Sequence, residues 1–246
     1  MNKDLKTLHD ANIPNYMQEY QWMKQATSDD ATLSAFVQRR IQGEPLAYIL
    51  NNAHFFDLEL FVDHRVLIPR PETEHMIEAI IASITSTDKT IIDLGTGSGC
   101  IALMLKKAFP QKQIIGIDNS FEALSVALIN QSRYPEHPVE WVAGNWLEAI
   151  DLNKIDVIIT NPPYVEQSWQ HDSISHEPDT ALFADDNGLQ DIKTIIEQIT
   201  PYALKIWIEH GENQEIPSLF PKRWHVKQHH DQYNKKRFVE AVSQKK

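Results

Sequence analysis

Thr90-Ile91-Ile92-Asp93-Leu94 runs directly into Gly95-Thr96-Gly97-Ser98-Gly99, a short apolar stretch that ends in a glycine triplet. The apolar run predicts a buried strand, and the glycines predict a sharp turn at its carboxyl end. Outward from this point helix and strand alternate. Ile101 to Lys107 reads as helix, Gln113 to Ile117 as strand and Phe121 to Ile129 as helix. Val139 to Val142 and Ile155 to Thr160 are further strands, followed by a helix around Ile192–Ile199 and a strand around Leu204–Ile208. Upstream, Met76, Ile77, Ile80, Ile81 and Ile84 line one helical face. This order predicts an α/β fold, Rossmann-like, with a mostly parallel doubly wound sheet and helices on both faces. Trp224 to Val242 reads as an antiparallel hairpin closing a sheet edge.

In such sheets ligands bind beyond the carboxyl ends of the strands, near the point where strand order reverses. The spacing Gly95, Gly97, Gly99 is G-x-G-x-G, not the G-x-G-x-x-G of dinucleotide folds. Asp118 ends the next strand, 19 residues after Gly99, where a carboxylate is placed to accept both hydroxyls of a ribose. Gly95, Thr96, Gly97, Ser98, Gly99 and Asp118 together point to an adenosine-containing cofactor. Trp146, in the loop after the third strand, is either an aromatic face for the base or a half-buried structural ring. Cys100 reads as a small packing residue, with no His/Asp constellation to activate it.

Asn161-Pro162-Pro163-Tyr164 follows the fourth strand, on the same sheet edge as the glycine loop. Two prolines fix φ and remove two N–H donors, leaving a stiff turn with exposed carbonyls. Asn161 offers a side-chain carbonyl, Pro162 a backbone one and Tyr164 an aromatic face. Two convergent acceptors suit an –NH2 group whose lone pair is delocalised, which they orient toward a methyl sulfonium electrophile.

Residues 1–50 read as helical and polar. Ser28 or Asp29 is placed to cap a helix carrying Leu33, Phe36, Val37 and Ile41, with Gly43 and Pro45 as its stop. Phe56, Leu58, Leu60 and Val62 then alternate with Asp57, Glu59 and Phe61 as a half-buried strand. With the apolar run Val66-Leu67-Ile68, residues 54–68 predict a hairpin, after which Pro69 and Pro71 bracket Arg70 and break any regular element.

The chain has 246 residues, 42% hydrophobic and 23% charged, enough for a substantial core, and a formal charge of −11. That acidity disfavours broad nucleic-acid binding. No run approaches the length of a membrane span, and Met1-Asn2-Lys3-Asp4-Leu5-Lys6 lacks a signal-peptide core, so a cytoplasmic protein is expected. One cysteine excludes an internal disulfide and a multi-Cys zinc site. His171, His176, His225, His229 and His230 show no helical pair with an acid, so no metal site is expected. Lys235-Lys236-Arg237 and Lys245-Lys246 read as solvated surface charge, and Arg70, Glu72 and Glu74 as pocket wall or an ion pair between parts of the chain.

From about residue 36 to 240 the sequence resembles the HemK/PrmC family of protein-(glutamine-N5) methyltransferases. The resemblance rests on Arg39-Arg40, Gly43-Glu44-Pro45-Leu46-Ala47-Tyr48-Ile49, Phe55-Phe56 and Leu67-Ile68-Pro69-Arg70-Pro71-Glu72-Thr73-Glu74. It continues through the glycine loop, Asp118, Asn161 to Tyr164, Glu177-Pro178, Ala181-Leu182, Gly188-Leu189 and Glu209-His210-Gly211. The Asn-Pro-Pro-Tyr turn is shared with DNA adenine methyltransferases; the Pro-Arg-Pro-Glu-Thr-Glu segment is more selective.

The resemblance implies S-adenosylmethionine as cofactor and the glutamine of the Gly-Gly-Gln motif in class I peptide-chain release factors as substrate. It implies that Gly95 to Gly99, Asp118, Trp146 and Asn161 bind cofactor, and that Asn161, Pro162, Pro163 and Tyr164 form the substrate pocket, with Asn161, Pro162 and Tyr164 catalytic. It further implies a helical docking region over 1–50, a β-hairpin linker over 51–70 and a methyltransferase domain over 71–246, working as a monomer. The segment before Gly43 is shorter than in typical members, so altered docking is expected. Asn145 stands where the family has Asp, and Gln232-Tyr233-Asn234 replaces a small-residue turn. The alternatives are a ribosomal-protein glutamine methyltransferase, a DNA adenine-N6 methyltransferase and a non-catalytic cofactor-binding partner protein.

Overall fold

The computed structural model describes residues 2–148, 150–169, 174–231 and 233–243. His171, Gln232 and Lys245-Lys246, singled out above, lie outside them. Four helices come first: α1 (Lys3–Asp10), α2 (Tyr16–Ala26), α3 (Asp30–Ile41) and α4 (Leu46–Leu50). Short polar side chains start two of them, as free helical N–H groups require. Asn2 accepts from the Asp4 amide at 3.0 Å and Asp29, not Ser28, accepts from the Thr32 amide at 2.8 Å. Leu8, Tyr20, Met23, Leu33 and Val37 bury a small core of their own.

The hairpin is shorter than the alternation suggested. Its strands are β1 (Ala53–Phe55) and β2 (Leu58–Leu60), paired antiparallel from Ala53 opposite Leu60 to Phe55 opposite Leu58. The turn falls inside the expected strand, where Phe56 takes φ +51° and its amide donates to the Glu74 carboxylate at 2.7 Å. Val66-Leu67-Ile68 forms no strand. Val66 is instead buried beside Tyr48, whose hydroxyl donates to the Val66 carbonyl. Pro71 opens a helix rather than ending one, because a missing N–H costs nothing in the first turn. That helix is α5 (Pro71–Ser83).

Beyond it run β3 (Thr90–Leu94), α6 (Cys100–Ala108), β4 (Gln113–Asp118), α7 (Phe121–Arg133), β5 (Glu140–Ala143) and β6 (Val157–Thr160). Then come β7 (Val165–Glu166), α8 (Asp179–Leu182), β8 (Phe183–Ala184), α9 (Asp185–Gly188), α10 (Gln190–Ile199), β9 (Lys205–Glu209), β10 (Trp224–His230) and β11 (Lys236–Ser243). The seven-stranded sheet has the order β10-β11-β9-β6-β3-β4-β5. Its β9-β6-β3-β4-β5 portion is parallel, while β11 lies antiparallel to both β9 and β10. The C-terminal hairpin therefore closes the edge as expected, with its second strand innermost.

Alternate residues of the strands feed two cores, as the period of two demands. Ile92, Leu94, Ile117, Ile158, Ile206 and Ile208 pack under α10, while Ile91, Ile114, Ile159 and Trp207 pack under α5, α6 and the hairpin. Strand order reverses between β3 and β6. Loops leaving these neighbours diverge to opposite sides, which opens a crevice at their carboxyl ends.

Candidate active site

Register brings the site residues to one level. Leu94 pairs with Ile117 on one side and Thr160 on the other, and Thr160 pairs with Ile208. Asp118, Asn161 and Glu209 therefore emerge together at the edge of the sheet. The Thr160 hydroxyl donates to the Leu94 carbonyl at 2.7 Å, fixing β6 against β3 where both chains turn away.

The glycine loop is held from three directions. The Gly95 and Thr96 amides both donate to the Ile117 carbonyl at 2.9 Å, and the Ser98 carbonyl accepts from the buried Asn130 side chain at 2.8 Å. Gly95, Gly97 and Gly99 all have positive φ, and a Cβ on Gly97 would meet nothing within 4 Å. At Gly97 it is therefore the left-handed backbone that requires glycine. Asp118 accepts from the Gly97 amide and the Ser120 amide, each at 2.9 Å. Burial pushes its carboxyl above the usual range, against the pull of these amides. An acceptor-only carboxylate held this way has lone pairs left for hydroxyls.

Gly95 to Ser98, Asp118, Asn145, Trp146, Asp191, Asn161, Pro163, Arg70 and Thr73 line a cavity of about 340 Å3. Trp146 sits in left-handed backbone at φ +47°, and burial raises the Asp191 carboxyl against the pull of the Trp146 indole. Asp93 lies fully buried behind the loop; its Oδ2 accepts from the Thr96 hydroxyl at 2.5 Å and the Ala102 amide at 3.1 Å, while its Oδ1 has no partner. Burial holds that carboxyl up at about 7. The acid character of this wall, one aromatic face and a glycine cradle fit a cationic ligand that carries hydroxyls and a flat base. The Cys100 thiol, pushed up to about 12 by burial, is no nucleophile.

On the opposite wall the Asn-Pro-Pro-Tyr turn divides. Asn161 and Pro163 line the cavity, whereas Pro162 is buried and Tyr164 reaches behind the wall. The Asn161 Nδ2 donates to Thr73 Oγ1 at 3.2 Å, Thr73 Oγ1 donates to Glu209 Oε2 at 2.7 Å, and the Tyr164 hydroxyl donates to Glu209 Oε1 at 3.2 Å. One side chain clamps the far end of the turn. Gln214 Nε2 donates to the carbonyls of Tyr164, Asn187 and Gly188 at 3.1, 3.2 and 3.2 Å, while its Oε1 accepts from the Gly211 amide at 2.9 Å.

Arg70 lines the cavity with its guanidinium on both oxygens of buried Glu177, at 2.8 and 2.7 Å. Glu74 is committed to the hairpin turn and does not line the cavity. Arg237 is not plain surface charge: it is half-buried, paired with Asp231 at 3.0 Å, and its field reaches Glu209 and Tyr164. Among the described residues no group of three metal-ligating side chains occurs, and His229 instead stacks on Phe238 at 4.8 Å. The sequence reading missed Thr73, Asp191 and Gln214 as individuals. Thr73 carried a signal in its Pro-Arg-Pro-Glu-Thr-Glu segment; Asp191 and Gln214 carried none.

Comparison with known proteins bears on the fold and the family. The Methyltransferase small domain model matches residues 72–178. Among solved structures, a methyltransferase from Pyrococcus furiosus superposes with a TM-score of 0.57 at 15% identity over 85% of this chain and 98% of that one. The ribosomal protein L11 methylase of Lactobacillus delbrueckii subsp. bulgaricus gives 0.53 at 15% identity over 71% and 79%; both likenesses concern the fold. Release factor glutamine methyltransferase of Buchnera aphidicola subsp. Schizaphis graminum is 40% identical over 75% of this chain and 69% of its own length. That of Lactococcus lactis subsp. lactis is 34% identical over 95% and 90%. With such relatives matched along most of both chains, and with a methyltransferase sheet whose crevice lies between the glycine loop and the Asn-Pro-Pro-Tyr turn, the chain belongs to the release factor glutamine methyltransferase family.

Proposed function

We propose that this chain methylates the side-chain amide nitrogen of the glutamine in the Gly-Gly-Gln motif of class I release factors, with S-adenosylmethionine as methyl donor. The observation that carries the reading is the placement of Asn161 on the cavity wall opposite Asp118 and the glycine loop. When bound, S-adenosylmethionine supplies an electrophilic methyl group on a sulfonium. Asp118 would take the ribose hydroxyls, Gly95 to Gly99 would give the backbone room for the cofactor, and Trp146 would hold the adenine; all of them line the cavity except Gly99. Asn161, at the junction, would also bind the cofactor.

A glutamine amide nitrogen is a weak nucleophile because its lone pair is shared with the carbonyl. Asn161 Oδ1 and the Pro162 carbonyl accept its two N–H hydrogens, which turns the lone pair toward the methyl group and favours pyramidal nitrogen. Pro163 completes the wall, and Tyr164 keeps the turn stiff from behind it. Positioning and aligned dipoles, rather than a strong base, do the chemistry. Residues 1–50 serve as the docking region, 51–70 as the linker and 71–246 as the catalytic domain. No helix among the described residues is long and apolar enough to cross a membrane.

The test offers labelled S-adenosylmethionine with an intact release factor, the same factor with its Gly-Gly-Gln glutamine changed to alanine, the large-subunit ribosomal protein that the glutamine-methylating sister group acts on, and unmethylated DNA. Label on the intact release factor alone is expected. Label on the ribosomal protein or DNA instead discards the substrate, and bound cofactor with no transfer anywhere makes the chain a non-catalytic partner.

A further inference from the structure

Thr73 and Glu209 meet across 136 residues of chain, and both are almost fully buried, at 2% and 1% exposure. The hydrogen bonds around them have a direction dictated by chemistry. An ionised carboxylate only accepts, so the Thr73 and Tyr164 hydroxyl protons both point at Glu209. With its one proton committed, the Thr73 oxygen only accepts from Asn161. An amide meets such an acceptor with its –NH2 end, so the carbonyl end of Asn161 faces away from Thr73. The two ends of an asparagine amide have nearly the same shape, and packing alone hardly distinguishes them; only the hydrogen-bond network does.

We propose that Thr73 and Glu209 are positioning residues that lock the Asn161 side chain with its oxygen presented to the substrate amide. The inference rests on the reading above that this oxygen receives a substrate N–H. A flipped Asn161 sets –NH2 against –NH2, and the substrate loses an acceptor. A buried carboxylate satisfied by two hydroxyls is a costly way merely to tie β9 to α5, since neutral partners do that without desolvating a charge. Its value lies in the direction that it imposes.

The groups facing Glu209 are Thr73 and Glu72 from α5, the Cys100 thiol from α6, Tyr164 from the turn after β6, and Arg237 from β11. Burial above all, with Glu72 adding, pushes its carboxyl up to about 7; the two hydroxyls and Arg237 oppose this. Once protonated, Glu209 donates to Thr73, and the freed Thr73 hydroxyl donates to Asn161 Oδ1. The lock is then reversed, and transfer slows as pH falls through that range.

Thr73→Val keeps the shape and removes the hydroxyl, and Thr73→Ser keeps the hydroxyl. With saturating cofactor, Thr73→Val is expected to lower single-turnover methylation of the release factor about tenfold to hundredfold, with cofactor affinity and KM for the factor held within about threefold. Thr73→Ser is expected to retain most of the rate. A second readout needs no protein substrate: the Asn161 side-chain 15N–1H signals, identified by their loss in Asn161→Ala. They should move with pH in the wild type and stand still in Glu209→Gln and Thr73→Val. Wild-type turnover in Thr73→Val, or Asn161 signals that titrate alike in all three proteins, overturns the proposal. Absence of transfer to the release factor by the wild type instead refutes the substrate reading, and the Asn161 signals still decide this one.

Discussion

Gly188 approaches Tyr164 so closely that a Cβ added to it would lie 2.1 Å from the Tyr164 carbonyl oxygen. It also sits at φ +78°, the third of three successive left-handed residues after Asp186 and Asn187. The Asn-Pro-Pro-Tyr turn is thus braced from behind by backbone. Gly188→Ala adds about 1–2 kcal/mol of backbone strain to a clash with main chain that cannot swing aside. A lower melting temperature and a loss of methyl transfer are both expected. Wild-type values in thermal unfolding and turnover would show that the brace is dispensable.

Gln214 shares this role through polarity. Its nitrogen faces three carbonyls, so Gln214→Glu, nearly identical in shape, sets an acceptor against acceptors. Gln214→Glu is expected to destabilise the fold by about 1–3 kcal/mol and to do more harm than Gln214→Ala. Chemical denaturation of both variants checks this; equal or smaller damage from the glutamate contradicts it.

Much of this was legible in the sequence, and the exceptions have physical causes. Strand followed by helix fixes a parallel sheet almost without choice, so the strand from Thr90, the glycine loop, Asp118 and Asn161 fell where periodicity put them. The hairpin did not. Alternation from Phe56 to Val62 satisfies a strand, but Glu74, contributed by a later helix, captures the Phe56 amide and moves the turn into the run. Val66 looked like strand because it is apolar, and it is apolar because Tyr48 covers it. Gln214 and Asp191 act through contacts with residues distant in sequence, and no local pattern marks them.

Asp118→Ala removes the carboxylate that both orders Gly97 and Ser120 and faces the cavity. Cofactor affinity is expected to fall about tenfold to hundredfold, the worth of one or two charged hydrogen bonds. Calorimetric titration with S-adenosylmethionine measures it, and unchanged affinity removes the ribose assignment.

Glu209 gives stability a predictable slope with pH. Its folded pKa stands above the ordinary glutamate value, so between about 4.5 and about 7 the folded state holds a proton that the unfolded state has released. Its contribution to stability is therefore lost as pH rises through this window. Glu209→Gln has no such proton, so its melting temperature should improve relative to the wild type on going from pH 5 to pH 8. A difference that stays constant or reverses between these pH values contradicts the burial-raised carboxyl.

Methyl transfer as proposed depends on Asn161 acting on the substrate amide rather than on the fold. The most direct measurement is single-turnover transfer of labelled methyl to the release factor by Asn161→Ala, with cofactor binding and thermal unfolding followed on the same protein. The predicted result is a rate reduced about a hundredfold to a thousandfold, as when an oriented dipole is removed from a reacting centre, in a protein that still folds and still binds cofactor. A rate close to that of the wild type would contradict the account.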